Sequence, residues 1–347
     1  MKNIVAVTVL FLIISCVKSK ENKEVLVEES AISGVTIEVV LQDSTLNIRA
    51  LEITEKGVVI ATSNGQTLIK EPNSKEFKKM FETDTIRKPN FRALAYNGES
   101  IFTISIESPA LLYKDGELVY TELHEKAFYD AMEFWNENEG IAIGDQTDGC
   151  MSIVITRDGG STWKKLPCNI SPKVTVGEGA FAASDTNIKI IGNHTWIATG
   201  GVASRILYSP NKGKSWQVYE TPIVQGAEST GMYSVDFYDE NIGFAIGGDY
   251  SAPEVNQQNK IKTIDGGKTW ELVAKAQNPG YRSCVQFIPN SNGTALVAVG
   301  FNGIDYSKDF GSTWKHLSDK GFYTIRFLND SIAYAAGKGR VSKLTFN

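Results

Sequence analysis

The sequence predicts an all-β fold, a seven-bladed β-propeller, on three observations. Four eight-residue segments repeat at a spacing typical of repeat architectures; short apolar runs ending in glycine precede them; and no stretch carries a convincing helical period. The four segments are TRDGGSTW (Thr156 to Trp163), SPNKGKSW (Ser209 to Trp216), TIDGGKTW (Thr263 to Trp270) and SKDFGSTW (Ser307 to Trp314). Their starts lie 53, 54 and 44 residues apart. The one helical candidate, NSKEFKKMF near residue 77, reads equally well as a loop.

The N-terminus stands apart from this pattern. Lys2 precedes the apolar run IVAVTVLFLIIS, which at 12 residues suits a signal-peptide core and is short for a membrane span. The run ends in IISC, and Cys16 there resembles the acceptor of a bacterial lipoprotein box. That resemblance implies cleavage before Cys16 and acylation of its thiol and new amine, enough chains for stable anchoring. A plain secretion signal with an incidental cysteine is the alternative. Residues 1–15 are thus read as a signal peptide, 16–34 as a polar tether and 35–347 as the propeller. The expected location is the cell envelope, periplasmic or surface-exposed, with the membrane reached through lipid.

Within the propeller the apolar runs GIAIGD, TWIATGG, IGFAIGGD and ALVAVG precede the four tryptophan segments. GVVIATSNG, SIFTISI and SIAYAAGKG have the same character without a tryptophan segment after them, giving seven units. Their β-branched and aromatic residues, bounded by Gly, Asn and Asp, read as strands. The last unit has three clear strands, and GVTIEVVLQ (Gly34 to Gln42) is placed to supply its outer strand and close the ring.

The tryptophan segments read as turns rather than catalytic loops. Asp158 is placed to accept N–H groups of its own turn, glycine to take a positive φ, and Trp163 to bury its ring. Asp265 with Trp270 and Asp309 with Trp314 repeat the arrangement. Asn211 with Trp216 replaces the acid by an amide, which suits a turn and would disable most catalytic carboxylates.

Composition narrows the function. A net charge of −5 without a basic tract gives no basis for nucleic-acid binding. His124, His194 and His316 are far apart and lack metal-ligand spacing. Cys150 and Cys168 flank the TRDGGSTW turn almost symmetrically, so a disulfide is open to them if register allows; Cys284 reads as a buried apolar residue. No dinucleotide, CxxC or haem motif appears, and no cofactor is expected.

The four segments resemble the Asp-box, or BNR, repeat, S/T-x-D-x-G-x-T-W, of sialidases and related propellers. With GEGAFAAS, GGVASRILYS, GGDYSAP, GYRSC and GFYTIRF, the chain from about residue 35 resembles a bacterial branch of the photosystem II assembly and stability factor group. Members of that group also carry "oxidoreductase" or "glycosyl hydrolase" labels. The sialidase resemblance would imply an arginine triad, a Tyr–Glu nucleophile pair and an acidic donor. Phe91-Arg92-Ala93-Leu94 keeps only half of the expected F-R-I-P segment, and no Tyr–Glu pair can be placed.

Propeller geometry puts the tryptophan turns on one face and the glycine-rich loops on the other, where binding is expected. Arg49, Arg92 and Arg282 each fall near the start of an innermost strand and are expected to converge at the channel mouth, with Glu178, Asp249 and Tyr250 on the rim. Guanidinium groups there would bind carboxylate or phosphate. The competing expectation pairs each arginine with a neighbouring acid such as Asp130 or Glu52. The sequence therefore points first to a monomeric, non-catalytic, membrane-tethered propeller that binds a protein or an anionic or glycan ligand, with envelope-complex assembly as one role. The second reading is a glycoside hydrolase of sialidase-like architecture.

Overall fold

A computed structural model describes residues 32–83 and 87–347. The signal peptide, Cys16 and residues 16–31 of the tether lie outside the described residues. The described chain is all-β, with 28 strands and no helix. Antiparallel strands radiate from a central channel, and most of the core lies between neighbouring sheets.

The expectation of seven blades is corrected. Hydrogen bonding gathers the strands into six sheets, four with four strands and two with six. By continuous sheets the propeller is six-bladed. The cause is strand continuity at the ring closure. Val35–Thr54 and Ile332–Phe346 are long strands that bridge what were expected to be separate units. The first half of Val35–Thr54 pairs with the second half of Ile332–Phe346, from Val35 opposite Phe346 to Gln42 opposite Arg340. Its second half pairs with Gly57–Thr62. The polar stretch between Gln42 and Asn47 shifts the register but does not end the strand.

Burial follows the radial plan. Strands second from the channel, such as Gly57–Thr62, Ile101–Ser105 and Leu296–Gly300, are buried throughout. Each faces an adjoining sheet on both sides, which accounts for unbroken apolar runs in place of alternation. Outer strands such as Gln217–Glu220 and Lys315–Ser318 carry the exposed polar residues.

The four turns share one hydrogen-bond scheme. Asp158 Oδ1 accepts the Thr162 N–H (2.9 Å), its Oδ2 accepts the Thr162 hydroxyl (2.7 Å), and Thr156 Oγ1 accepts the Gly160 N–H (2.9 Å). Asp265 and Asp309 repeat these contacts with Thr269 and Thr313. Asn211 accepts the Ser215 N–H and donates to its hydroxyl. The hydrogen bonds from Thr162 hold the Asp158 carboxyl below its usual range. Gly160 adopts φ +77°, and an added Cβ would lie 2.1 Å from the Phe102 ring of the adjoining sheet. The tryptophans differ among themselves. Trp270 and Trp314 donate to Gly267 and Gly311 carbonyls, whereas the buried indole N–H groups of Trp163 and Trp216 hydrogen-bond to no described residue.

Cys150 and Cys168 form a disulfide with Cα atoms 5.5 Å apart, and Cys284 is a buried free thiol. The hairpin register sets Val154 opposite Lys165, and the two cysteines meet four residues back on one strand and three residues on along the other.

Candidate functional site

The segment Ala180–Asn187 crosses the central channel. Ala182 and Ala183 carbonyls accept Arg92 Nη1 and Arg49 Nη1, both at 3.0 Å. Ser184 Oγ donates to the Ser283 carbonyl (2.6 Å), and the Thr324 hydroxyl donates to the Ser184 carbonyl (2.8 Å). Asp185 accepts N–H groups of Leu94 (2.8 Å) and Met132 (3.1 Å), and Thr186 Oγ1 lies 2.8 Å from Ser234 Oγ. Innermost strands from around the ring thus bond to one short segment. Small side chains let it pass through the middle, and its polar backbone finds partners there as burial requires. The consequence is functional: the channel is blocked, and each end is a blind cup.

The cup on the loop-rich face has a volume of about 740 Å³. Its lining comes from loops after second strands (Asp145, Gly201, Tyr250, Phe301) and from segments leading into the next first strand (Phe128, Gly177 to Ala183, Tyr281, Tyr323). Aromatic rings dominate its wall. Phe181 stacks on Tyr233 at 3.9 Å, Tyr281 meets Tyr233 edge-on at 4.8 Å and stacks on Phe301 at 5.1 Å. The Arg49 guanidinium lies over the Tyr323 ring at 3.9 Å. Burial, with repulsion from Arg49, pulls Arg92 down to about 10, so it stays charged at neutral pH. Burial likewise pulls Arg49 below its usual value.

The expected arginine trio is therefore a pair. Arg49 and Arg92 line the cup, but Arg282 does not. Arg282 is 4% exposed, pairs with buried Asp305 (Nη2 to Oδ2, 2.5 Å) and donates to the Tyr281 carbonyl. Its place at the mouth is taken by Tyr281. Asp130 and Glu52, proposed as the arginines' acid partners, also differ. Glu52 pairs with Arg326, and neither oxygen of fully buried Asp130 has a hydrogen bond of good geometry to a described residue. Burial, aided by Asp145, pushes the Asp130 carboxyl well up.

The rim residues split. Tyr250 stands in the cup, 53% exposed and edge-on to Tyr233. Glu178 borders the cup, but its carboxylate is committed to Arg205 (2.5 Å) and accepts the Thr199 hydroxyl and the Thr175 N–H. Asp249 lies outside the lining and caps its own turn through Ser251. The aromatic wall was not read from the sequence, although GEGAFAAS, GYRSC and GFYTIRF carry three of its rings.

Three lining carboxylates, Asp145, Glu178 and Glu228, bear on hydrolysis. Glu178 is held by Arg205, while burial raises Asp145 to about 6 and its Oδ1 accepts the Ala180 N–H. The histidines are scattered: His194 meets Tyr208, His316 sits between Asp305 and Asp319, and His124 lies near Asp148. Among the described residues no group of three or more His, Cys, Asp or Glu side chains is arranged to hold a metal.

Fold and site together define a β-propeller with a blind, aromatic, arginine-floored cup at one end of its channel. No protein-family profile matches the chain, and no curated protein matches it. Among solved structures it is similar to YCF48 bound to a D1 peptide (TM-score 0.65, 12% identity, covering 90% of this chain and 97% of that one). YCF48 from Cyanidioschyzon merolae is similar as well (TM-score 0.62, 13% identity, 91% and 99% coverage). So is a GH74 enzyme from Niastella koreensis (TM-score 0.56, 14% identity), with coverage of 87% of this chain and 43% of that one. At these identities the likeness shows the fold, a propeller resembling that of YCF48, a photosystem II assembly factor.

Proposed function

We propose that the chain is a non-catalytic propeller whose loop-rich face binds an extended segment of another protein. The observation that carries this reading is the floor of the cup. Arg49 and Arg92 are each oriented by a carbonyl of the channel segment, and Nη2 of neither hydrogen-bonds to a described residue. Two oriented guanidinium groups suit an acidic side chain or other carboxylate, and the surrounding rings suit apolar neighbours of that group. The solved YCF48 structure with a D1 peptide gives a similarly folded protein with a peptide ligand. The four turns, read as Asp-box repeats, keep their polar groups for their own chain and leave recognition to the opposite face.

The reading includes a lipid anchor at Cys16 and a cell-envelope location. Ser33 Oγ donates to the Asn347 carbonyl, and Lys315, next to Trp314, donates to the Ser33 carbonyl (2.8 Å). The described chain thus begins on the tryptophan-turn face.

A sialidase-like hydrolase requires two carboxyl groups about 5 to 9.5 Å apart in the pocket, or a Tyr–Glu nucleophile with an acid. Glu178 is neutralised by Arg205, so Asp145 would have to act with Glu228 across an open cup. The test is a fluorescence-polarisation screen of acidic peptides against the wild type and Arg49→Ala/Arg92→Ala, beside a fluorogenic glycoside panel. Peptide binding lost in the double variant supports the proposal. Glycoside turnover abolished by Asp145→Asn would replace it.

A further inference from the structure

Beyond Ser184–Thr186 the channel opens towards the tryptophan-turn face as a second cavity, of about 310 Å³. Innermost strands supply its wall: Glu52, Ala95, Glu133, Lys189, Gln286 and Arg326. Most of the polar groups there are satisfied within the protein. Arg326 Nε binds Glu52 (3.2 Å), and its other nitrogens go to Thr324 Oγ1 and to Ile325 and Asp185 carbonyls. Lys189 pairs with Asp236 at 2.7 Å. Gln286 Oε1 accepts the Phe327 N–H, and Asp185 is taken by two backbone N–H groups.

Glu133 is the exception. It lines the cavity half-buried, and its carboxyl hydrogen-bonds to no described residue. The neighbouring innermost strand contributes Ala95, whose small side chain leaves room beside it. The wall carries four carboxyl groups and two cations, so it disfavours an anion. A carboxyl without a hydrogen-bond partner, set among other acceptor oxygens, suits an ammonium group, which takes an ion pair and hydrogen bonds together.

We propose that this cavity binds a small organic cation, a primary alkylammonium group, with Glu133 as its ion-pair partner. The site is separate from the loop-rich cup and does not depend on what that cup binds. Burial raises Glu133 to about 8, against the pull of Lys189; Glu52 and Asp236 repel it and Arg326 attracts it. A cation that needs the ionised carboxylate therefore displaces a proton at neutral pH. Its affinity rises roughly tenfold from pH 6 to 7 and levels off above about 8.

The test is calorimetric titration of the purified protein with butane-1,4-diamine, and with N-acetyl-lysine amide as a stand-in for a protein lysine. Wild type should bind at least one probe with proton release, and Glu133→Gln should weaken it at least tenfold. Glu228→Gln, in the other cup, should bind as wild type does. Ala95→Val, which fills the space and keeps Glu133, should also weaken binding, and circular dichroism checks that each variant is folded. Binding of the diamine alone identifies a free amine as the ligand class; binding of both extends it to a lysine side chain. No binding to wild type at millimolar probe, or equal binding by Glu133→Gln, overturns the proposal.

Discussion

Replacing Gly160 by alanine should cost far more than replacing its neighbour Gly159, although both lie in the same turn. Both have positive φ, +67° at Gly159 and +77° at Gly160, so either alanine carries a backbone penalty of about 1 kcal/mol. At Gly159 the nearest atom to an added Cβ is the Glu137 carbonyl oxygen at 3.5 Å, an ordinary contact. At Gly160 the Cβ would sit 2.1 Å from Phe102 Cε1 and 2.5 Å from its Cζ. Phe102 is fully buried and packed against Phe134 (4.6 Å) and Trp163 (6.1 Å), so the ring has nowhere to go. Overpacking of this kind adds about 2 kcal/mol, for a total of about 3 kcal/mol. For a chain of this length about 2 °C of melting temperature goes with each kcal/mol. Thermal unfolding followed by tryptophan fluorescence should show Gly159→Ala lower by about 2 °C and Gly160→Ala by about 6 °C. Equal shifts, or a neutral Gly160→Ala, would refute the argument that this turn holds the sheet against its neighbour.

Other expectations concern charge and covalent linkage. Hydrogen bonding to Lys212, outweighing burial and aided by Asn136 and Arg157, lowers Glu139 to about 2. A depressed carboxyl stabilises the fold fully above its unfolded pKa and loses that stabilisation as pH falls through the folded one; Glu139→Gln should therefore cost about 1 kcal/mol at pH 7 and only a small fraction of that at pH 2 in urea titrations. For His316, burial opposes the charged ring but Asp305 and Asp319 outweigh it, so its pKa is raised. Its contribution is complete below the unfolded value and fades as pH rises through the folded one, so melting curves of His316→Ala and wild type should converge at alkaline pH. The Cys150–Cys168 bridge closes a loop with a separation of 18 residues. Its removal by Cys150→Ser/Cys168→Ser should cost about 3 kcal/mol in denaturant midpoint measurements.

The sequence makes some of this architecture legible and hides the rest for identifiable reasons. The four turns are visible because their chemistry is local: Asp158 and Thr162 act within one octapeptide. The closing strand is visible because GVTIEVVLQ lacks a partner nearby and the last unit lacks an outer strand. The sheet count is not, because Asp43, Ser44 and Thr45, between Gln42 and Asn47, look like a break while the strand continues through them. The channel segment gives no periodic signal, since Ala182, Ala183 and Ser184 owe their place to partners up to 140 residues away. Arg282 has the same local setting as Arg92, and only the fold shows Asp305 beside it.

The most direct test of the central claim is site-specific photo-cross-linking in cells of the source organism. A photoreactive residue replaces Tyr250 in the cup or, as a control, Ile264, which is exposed in a turn on the opposite face. Tyr250 should cross-link to a discrete polypeptide, in a manner abolished by Arg49→Ala/Arg92→Ala, while Ile264 should not. Cross-linking from Ile264 alone, or from Tyr250 undiminished in the double variant, would contradict the account.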